Sequence, residues 1–117
     1  MRGQDSFSSR HPTGLLESVY EAALAYELGK RGLSVVCQQA VPAVYETIEI
    51  HTAFYADMMV EEQVIVEIKA VETIAPVHKR QLLTYLKLAD KRLGLLINFN
   101  VYLIKDGITR IVNGLHE

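Results

Sequence analysis

Between residues 14 and 32 the apolar positions return every three or four residues. Leu16, Val19, Tyr20, Ala23, Leu24 and Leu28 form a stripe, and that spacing predicts a helix. Thr13 is placed to cap its start, Lys30 and Arg31 suit its negative end, and Gly32 can take the left-handed conformation that stops it. The period then shortens. Residues 34–45, SVVCQQAVPAVY, read as extended, with Pro42 limiting central pairing. A second strand is expected over 47–60, less regular before Phe54. A third follows at 64–70, rich in valine and isoleucine, after a turn at Glu61, Glu62 and Gln63. Together these runs suggest an antiparallel three-stranded unit.

The period lengthens again at APVHKRQLLTYLKLADKR. Pro76 fits a first helical turn, while Val77, Leu82, Tyr85, Leu88 and Ala89 define a broad apolar side. Residues 93–99, LGLLINF, are nearly all apolar, as in a covered strand, and a strand following a helix fits a mixed sheet. The segment VYLIKDGITRIV predicts a terminal hairpin around Asp106-Gly107. The order is α-β-β-β-α-β plus that hairpin: an α/β fold with a mixed sheet flanked by two helices, whose edge strands leave room for a homodimer. Residues 1–12 read as a flexible leader and 13–117 as a single domain, with no repeat, low-complexity run or interdomain linker.

Composition narrows the class. Half of the 117 residues are hydrophobic and 22% are charged, which favours a folded chain over a disordered one. No apolar run reaches the roughly 20 residues of a membrane-spanning helix, and MRGQDSFSSRHPT lacks the apolar centre of a signal peptide. Cys37 is the only cysteine, so neither an internal disulfide nor a thiolate metal cluster is available, and the expected setting is reducing and cytoplasmic. The net charge of −2 is unevenly spread. Residues 1–72 hold five Lys/Arg and eleven Asp/Glu, giving −6; residues 73–117 hold seven and three, giving +4. An acidic half suits cations and a basic half suits a polyanion, although solvated faces account for the same numbers.

Within ADMMVEEQVIVEIKA, residues 56–70, three ionisable groups stand among aliphatic ones: Asp57, Glu67 and Lys69. A three-residue loop at 61–63 would set Asp57 directly opposite Glu67. A two-residue loop would send the carboxylates to different faces unless a bulge intervened. Glu67 and Lys69 share a face in any register. Two close carboxylates repel, and a divalent cation reverses that balance. Magnesium takes oxygen ligands and keeps several waters. A cross-strand charged network on a solvated face is the plainer explanation of the same spacing. On the first helix, Glu17 lies beside Leu24 and Leu28 and is a candidate third carboxylate, with Glu21 nearer the edge of that face. On the second helix His78, Gln81 and Tyr85 occupy neighbouring inward positions. Lys79, Arg80, Lys87, Lys91 and Arg92 would make association with a polyanion salt-sensitive, without sharing one face. Nothing in the chain resembles a recognition helix, a zinc finger or an aromatic stacking ladder.

The whole pattern resembles the GxxExxY family, related to the PD-(D/E)XK nuclease superfamily. GLLESVY carries Gly14, Glu17 and Tyr20 in the named positions, YADMMVEEQVIVEIKA is similar to the metal-binding hairpin, and HKRQLLTYLKLADKRLGLLINF and KDGITRIVN are similar to the later segments. The likeness covers about residues 13–114. It implies a restriction-endonuclease-like fold and hydrolysis of DNA phosphodiester bonds dependent on Mg2+, with Mn2+ as a substitute and RNA as a less favoured substrate. It implies that Asp57, Glu67, Glu17 and the backbone carbonyl of Ile68 hold the metal, that Lys69 positions the attacking water, and that Gln81 and Tyr85 are the polar positions of the following helix. Ala56 stands in place of the proline in the superfamily's name, and Tyr55 stands where many relatives carry arginine. A partner protein would supply any sequence selectivity. The alternatives are a nucleic-acid-binding or assembly protein that keeps the fold without efficient hydrolysis, and a structural protein-interaction module.

Overall fold

The computed structural model describes residues 14–100 and 104–114. Helix α1 (Gly14–Lys30) leads into strands β1 (Val35–Tyr45), β2 (Ile48–Val60) and β3 (Val64–Lys69). Helix α2 (Pro76–Ala89), β4 (Leu93–Asn98), a 3-10 turn (Ile104–Gly107) and β5 (Ile108–Val112) complete the order. The five strands form one sheet in the order β1-β2-β3-β4-β5. All neighbours are antiparallel except β3 and β4, which α2 connects as a parallel pair. This is the mixed sheet with two flanking helices, a restriction-endonuclease-like α/β architecture. No described helix is long and apolar enough to cross a membrane.

The helix ends follow local chemistry. Gly32 adopts φ +85°, which lets the amide of Leu33 reach back to the Leu28 carbonyl at 3.1 Å and that of Gly32 to Gly29 at 3.0 Å, the pairing that ends many helices. Pro76 opens α2, and with no capping side chain at Ala75 the ring of His78 takes that part, its Nδ1 accepting the Ala75 amide at 3.0 Å. Asp90, in the left-handed region, closes α2. The terminal pairing differs from the expected hairpin within VYLIKDGITRIV: β5 returns antiparallel along β4. Asp106 and Gly107 lie in the 3-10 turn before β5. Residues 101–103 and the proposed Thr13 cap lie outside the described residues.

Each sheet face carries its own core. Beneath α2, Leu82 and Leu86 meet Val41, Phe54, Ala56, Met59, Ile65 and Leu96. Beneath α1, Met58, Val66, Ile68 and Ile97 meet Tyr20, Leu24 and Leu28, and the rings of Tyr20 and Phe99 stack at 4.4 Å. The apolar stripes are narrower than their spacing suggested: Leu16 and Val19 on α1, and Val77 and Leu88 on α2, are exposed. Gly94 on β4 lets α2 approach closely, because a methyl group there would meet Leu82 Cδ2 at 2.9 Å.

Candidate active site

Strands β2 and β3 pair Val60 with Val64, Met59 with Ile65 and Met58 with Val66, and the ladder stops there. The three residues between the strands are 61–63, so one more step would set Asp57 opposite Glu67. That is the register the two carboxylates require to share a face. In place of a further backbone pair, side chains close the gap. The Asp57 amide donates to Glu67 Oε2 at 3.0 Å and the Ile68 amide donates to Asp57 Oδ2 at 2.9 Å. The strands part at this point, and each carboxylate is held by a main-chain group displaced from the ladder.

The pleat of β2 changes at the same place. Ala56 and Met59 both belong to the core beneath α2, and Met58 to the core beneath α1. A regular strand would send Ala56 and Met59 to opposite faces, so the alternation breaks between them, at Asp57. Opposite the break, Gln38 of β1 lies between the pairs Cys37–Met58 and Gln39–Ala56 with φ +52°. Its side-chain amide donates to Asp57 Oδ1 at 3.3 Å and to Glu21 Oε1 of α1 at 2.9 Å.

A cavity of about 360 Å3 opens here, lined by Gln38, Phe54, Tyr55, Asp57, Glu67, Lys69, Gln81 and Tyr85. Five residues singled out from sequence therefore come together: Asp57, Glu67, Lys69, Gln81 and Tyr85. Size does not select this cavity, since a depression of about 430 Å3 lies beside Lys91 and Arg92. Its acid pair does. Glu67 is only 7% exposed, and burial followed by the charge of Asp57 raises its pKa to about 8, against the lowering influence of the Asp57 amide and Lys69. The phenol of Tyr85 is shifted upward by burial and then by Glu67 and Asp57, which keeps its proton in place. Its ring stacks on Phe54 at 3.9 Å. His78 lies outside the lining, its pKa lowered by desolvation and by nearby Lys69. With Nδ1 accepting from Ala75, the proton of the neutral ring belongs on Nε2.

Glu17 and the backbone carbonyl of Ile68 are the other groups expected at the metal. Glu17 is half-buried on α1 and does not line the cavity. The helix carboxylate tied to Asp57 is Glu21, one turn later and 8% exposed, through Gln38. Partial burial, followed by Glu21 and then Asp57, raises the Cys37 thiol to about 11. Ile68 turns its side chain into the core beneath α1 while its amide serves Asp57. Gln38 was missed because glutamine in a strand gives no signal of a left-handed backbone.

Among the described residues no group of three or more His, Cys, Asp and Glu side chains is arranged to hold a metal ion. The donor set still suits a hard divalent cation. Asp57 and Glu67 form a half-desolvated acid pair, and magnesium is commonly held by one or two carboxylates with waters and substrate phosphates completing its shell. Glu67 is shifted upward by burial first and by the charge of Asp57 second, more than the Asp57 amide and Lys69 together offset. Comparison with known proteins agrees with this chemistry. A family model described as the PD-(D/E)XK nuclease superfamily matches residues 7–111. No curated protein and no solved structure matches the chain.

Proposed function

Since the chain belongs to the PD-(D/E)XK nuclease superfamily, whose nucleases generally use divalent metal ions, we propose that it hydrolyses DNA phosphodiester bonds with Mg2+, or Mn2+ in its place. The observation that carries this reading is the cavity that gathers Asp57, Glu67, Lys69, Gln81 and Tyr85 around one acid pair. Asp57 and Glu67, with the Ile68 carbonyl, are the groups that would hold the cation. When bound, such an ion polarises a phosphate oxygen and lowers the pKa of an attached water.

The side chains divide the remaining work. Lys69 shares a face with Glu67, and its ammonium has donors only. It orients the attacking water through the water's oxygen and offsets negative charge gathering on the phosphate. As the water oxygen bonds to phosphorus it gives up a proton to bulk water, and the opposite ester oxygen departs and takes a proton from solvent in turn. Tyr85 holds its proton and donates to a phosphate oxygen. The Gln81 amide stands beside it on α2, where it can donate to the same group. Exposed Lys79, Arg80 and Lys87 on α2 would make association with the polyanion salt-sensitive.

The test is cleavage of single-stranded and duplex DNA, with RNA in parallel, by highly purified protein with and without Mg2+ or Mn2+. The expected result is cation-dependent DNA cleavage, abolished in Lys69→Ala while folding and duplex binding survive. Retained binding with no cleavage by the unaltered protein under any cation would instead leave a nucleic-acid-binding or assembly role.

A further inference from the structure

Five non-glycine residues among those described have positive φ, and four of them, Glu46, Glu61, Glu62 and Asp90, sit at turns or a helix end. Gln38 is different: it lies within β1, where a left-handed residue interrupts an extended backbone. That conformation is unfavourable for a side chain of this size and persists only where its surroundings demand it. The demand is visible on the cavity wall. The Gln38 carboxamide meets two carboxylates from two other elements, Glu21 of α1 at 2.9 Å and Asp57 of β2 at 3.3 Å. Both contacts need a donor, so the amide nitrogen faces them. We propose that Gln38 is a positioning residue, whose carboxamide anchors Asp57 to the buried Glu21 and thereby sets the orientation in which Asp57 meets a divalent cation.

The chemistry of the side chain fits that role. Asp57 Oδ2 is held by the Ile68 amide, and Gln38 restrains Oδ1, so both oxygens are oriented by neutral donors. A lysine at this place would form an ion pair with Asp57 and compete with the cation for its charge. An amide directs the carboxylate and leaves its negative charge available. Partners of metal ligands outside the coordination shell commonly change affinity about 10- to 100-fold when removed. This inference rests on the reading of Asp57 as a cation ligand, and the experiment separates the two.

Gln38→Gly suits the test, because glycine accepts the left-handed backbone while removing the carboxamide. Gln38→Asn serves as the conservative variant. Two measurements on the full chain are needed: hydrogen exchange at the Ile68 amide without divalent cation, and Mn2+ affinity by calorimetry. In Gln38→Gly the Ile68 amide is expected to exchange about tenfold faster, relative to Ile65 in the same strand, with cooperative thermal unfolding retained. Mn2+ affinity is expected to fall about tenfold or more, cleavage returning at saturating Mn2+, and Gln38→Asn to lie between. Unchanged Ile68 exchange overturns the proposal, as does faster exchange with unchanged Mn2+ affinity. If the unaltered protein binds no Mn2+, the ligand reading of Asp57 fails and the proposal falls with it, whereas Ile68 exchange still reports whether Gln38 restrains Asp57.

Discussion

The main-chain amide of Asp57 donates to the carboxylate of Glu67, so the backbone of one acid restrains the side chain of the other. With Glu67 raised to about 8, a cation that binds there displaces a proton at neutral pH. Mn2+ affinity should therefore rise by about tenfold per pH unit below pH 8 and level off above it. Calorimetry across pH 6–9 checks the slope, and Glu67→Gln should bind weakly with little pH dependence.

The same group affects folding with a definite sign. A carboxylate whose pKa rises on folding, here from 4.5 to about 8, contributes stability below the lower value and loses it as pH approaches the higher one. Without divalent cations, melting temperature should decline between those pH values through this group. Glu67→Gln should flatten the decline, as thermal unfolding over that range would record.

Tyr85 joins two roles that substitution can separate. Tyr85→Phe keeps the ring stacked on Phe54 but removes the hydroxyl. It should lower kcat by about tenfold, an effect of the size of one transition-state hydrogen bond, with little change in melting temperature. Tyr85→Leu should also lose the stacking, about 0.5–1.5 kcal/mol. Steady-state kinetics and chemical denaturation distinguish the two.

At Gly94 the helix sits on the sheet with no room for a methyl group, Leu82 Cδ2 standing 2.9 Å from its place. Gly94→Ala should destabilise by about 1–3 kcal/mol through overpacking. In Leu82→Ala the same change should cost less. The coupling is read from a double-mutant denaturation cycle.

Asn98, 3% exposed, holds the chain just after Lys69: its amide donates to the Val71 carbonyl at 2.8 Å and its oxygen accepts the Val71 amide at 3.1 Å. Asn98→Leu would strand both groups of Val71. A loss of about 1–3 kcal/mol per unsatisfied buried group is expected, together with reduced cleavage as Lys69 loses its setting. Denaturation and activity at a temperature where the variant stays folded test both parts.

What could be read from sequence was whatever a local rule controls. Gly32 and Pro76 marked helix boundaries because backbone chemistry restricts those positions. The register that sets Asp57 against Glu67 was legible as a condition, a three-residue loop, and the strands are joined by residues 61–63. Glu21 was harder to separate from Glu17. The two differ by about 40° on a helical wheel, within the rotation by which packing places a helix on a sheet. Gln38 gave no sign, because its backbone state is imposed by contacts from α1 and β2 that are remote in sequence. The exposed Leu16, Val19, Val77 and Leu88 taught the complementary lesson: periodicity finds a helix face but overstates its width.

Only Met58, Met59 and Val60 of the long strand β2 are paired with β3, so the β1–β2 ribbon overhangs the rest of the sheet. At its far end the turn at Glu46 and Thr47 is exposed, and the cavity begins no nearer on β2 than Phe54. That overhang offers a splice point. A reporter peptide or a foreign DNA-targeting domain inserted between Glu46 and Thr47 would ride on the ribbon's tip without displacing the acid pair.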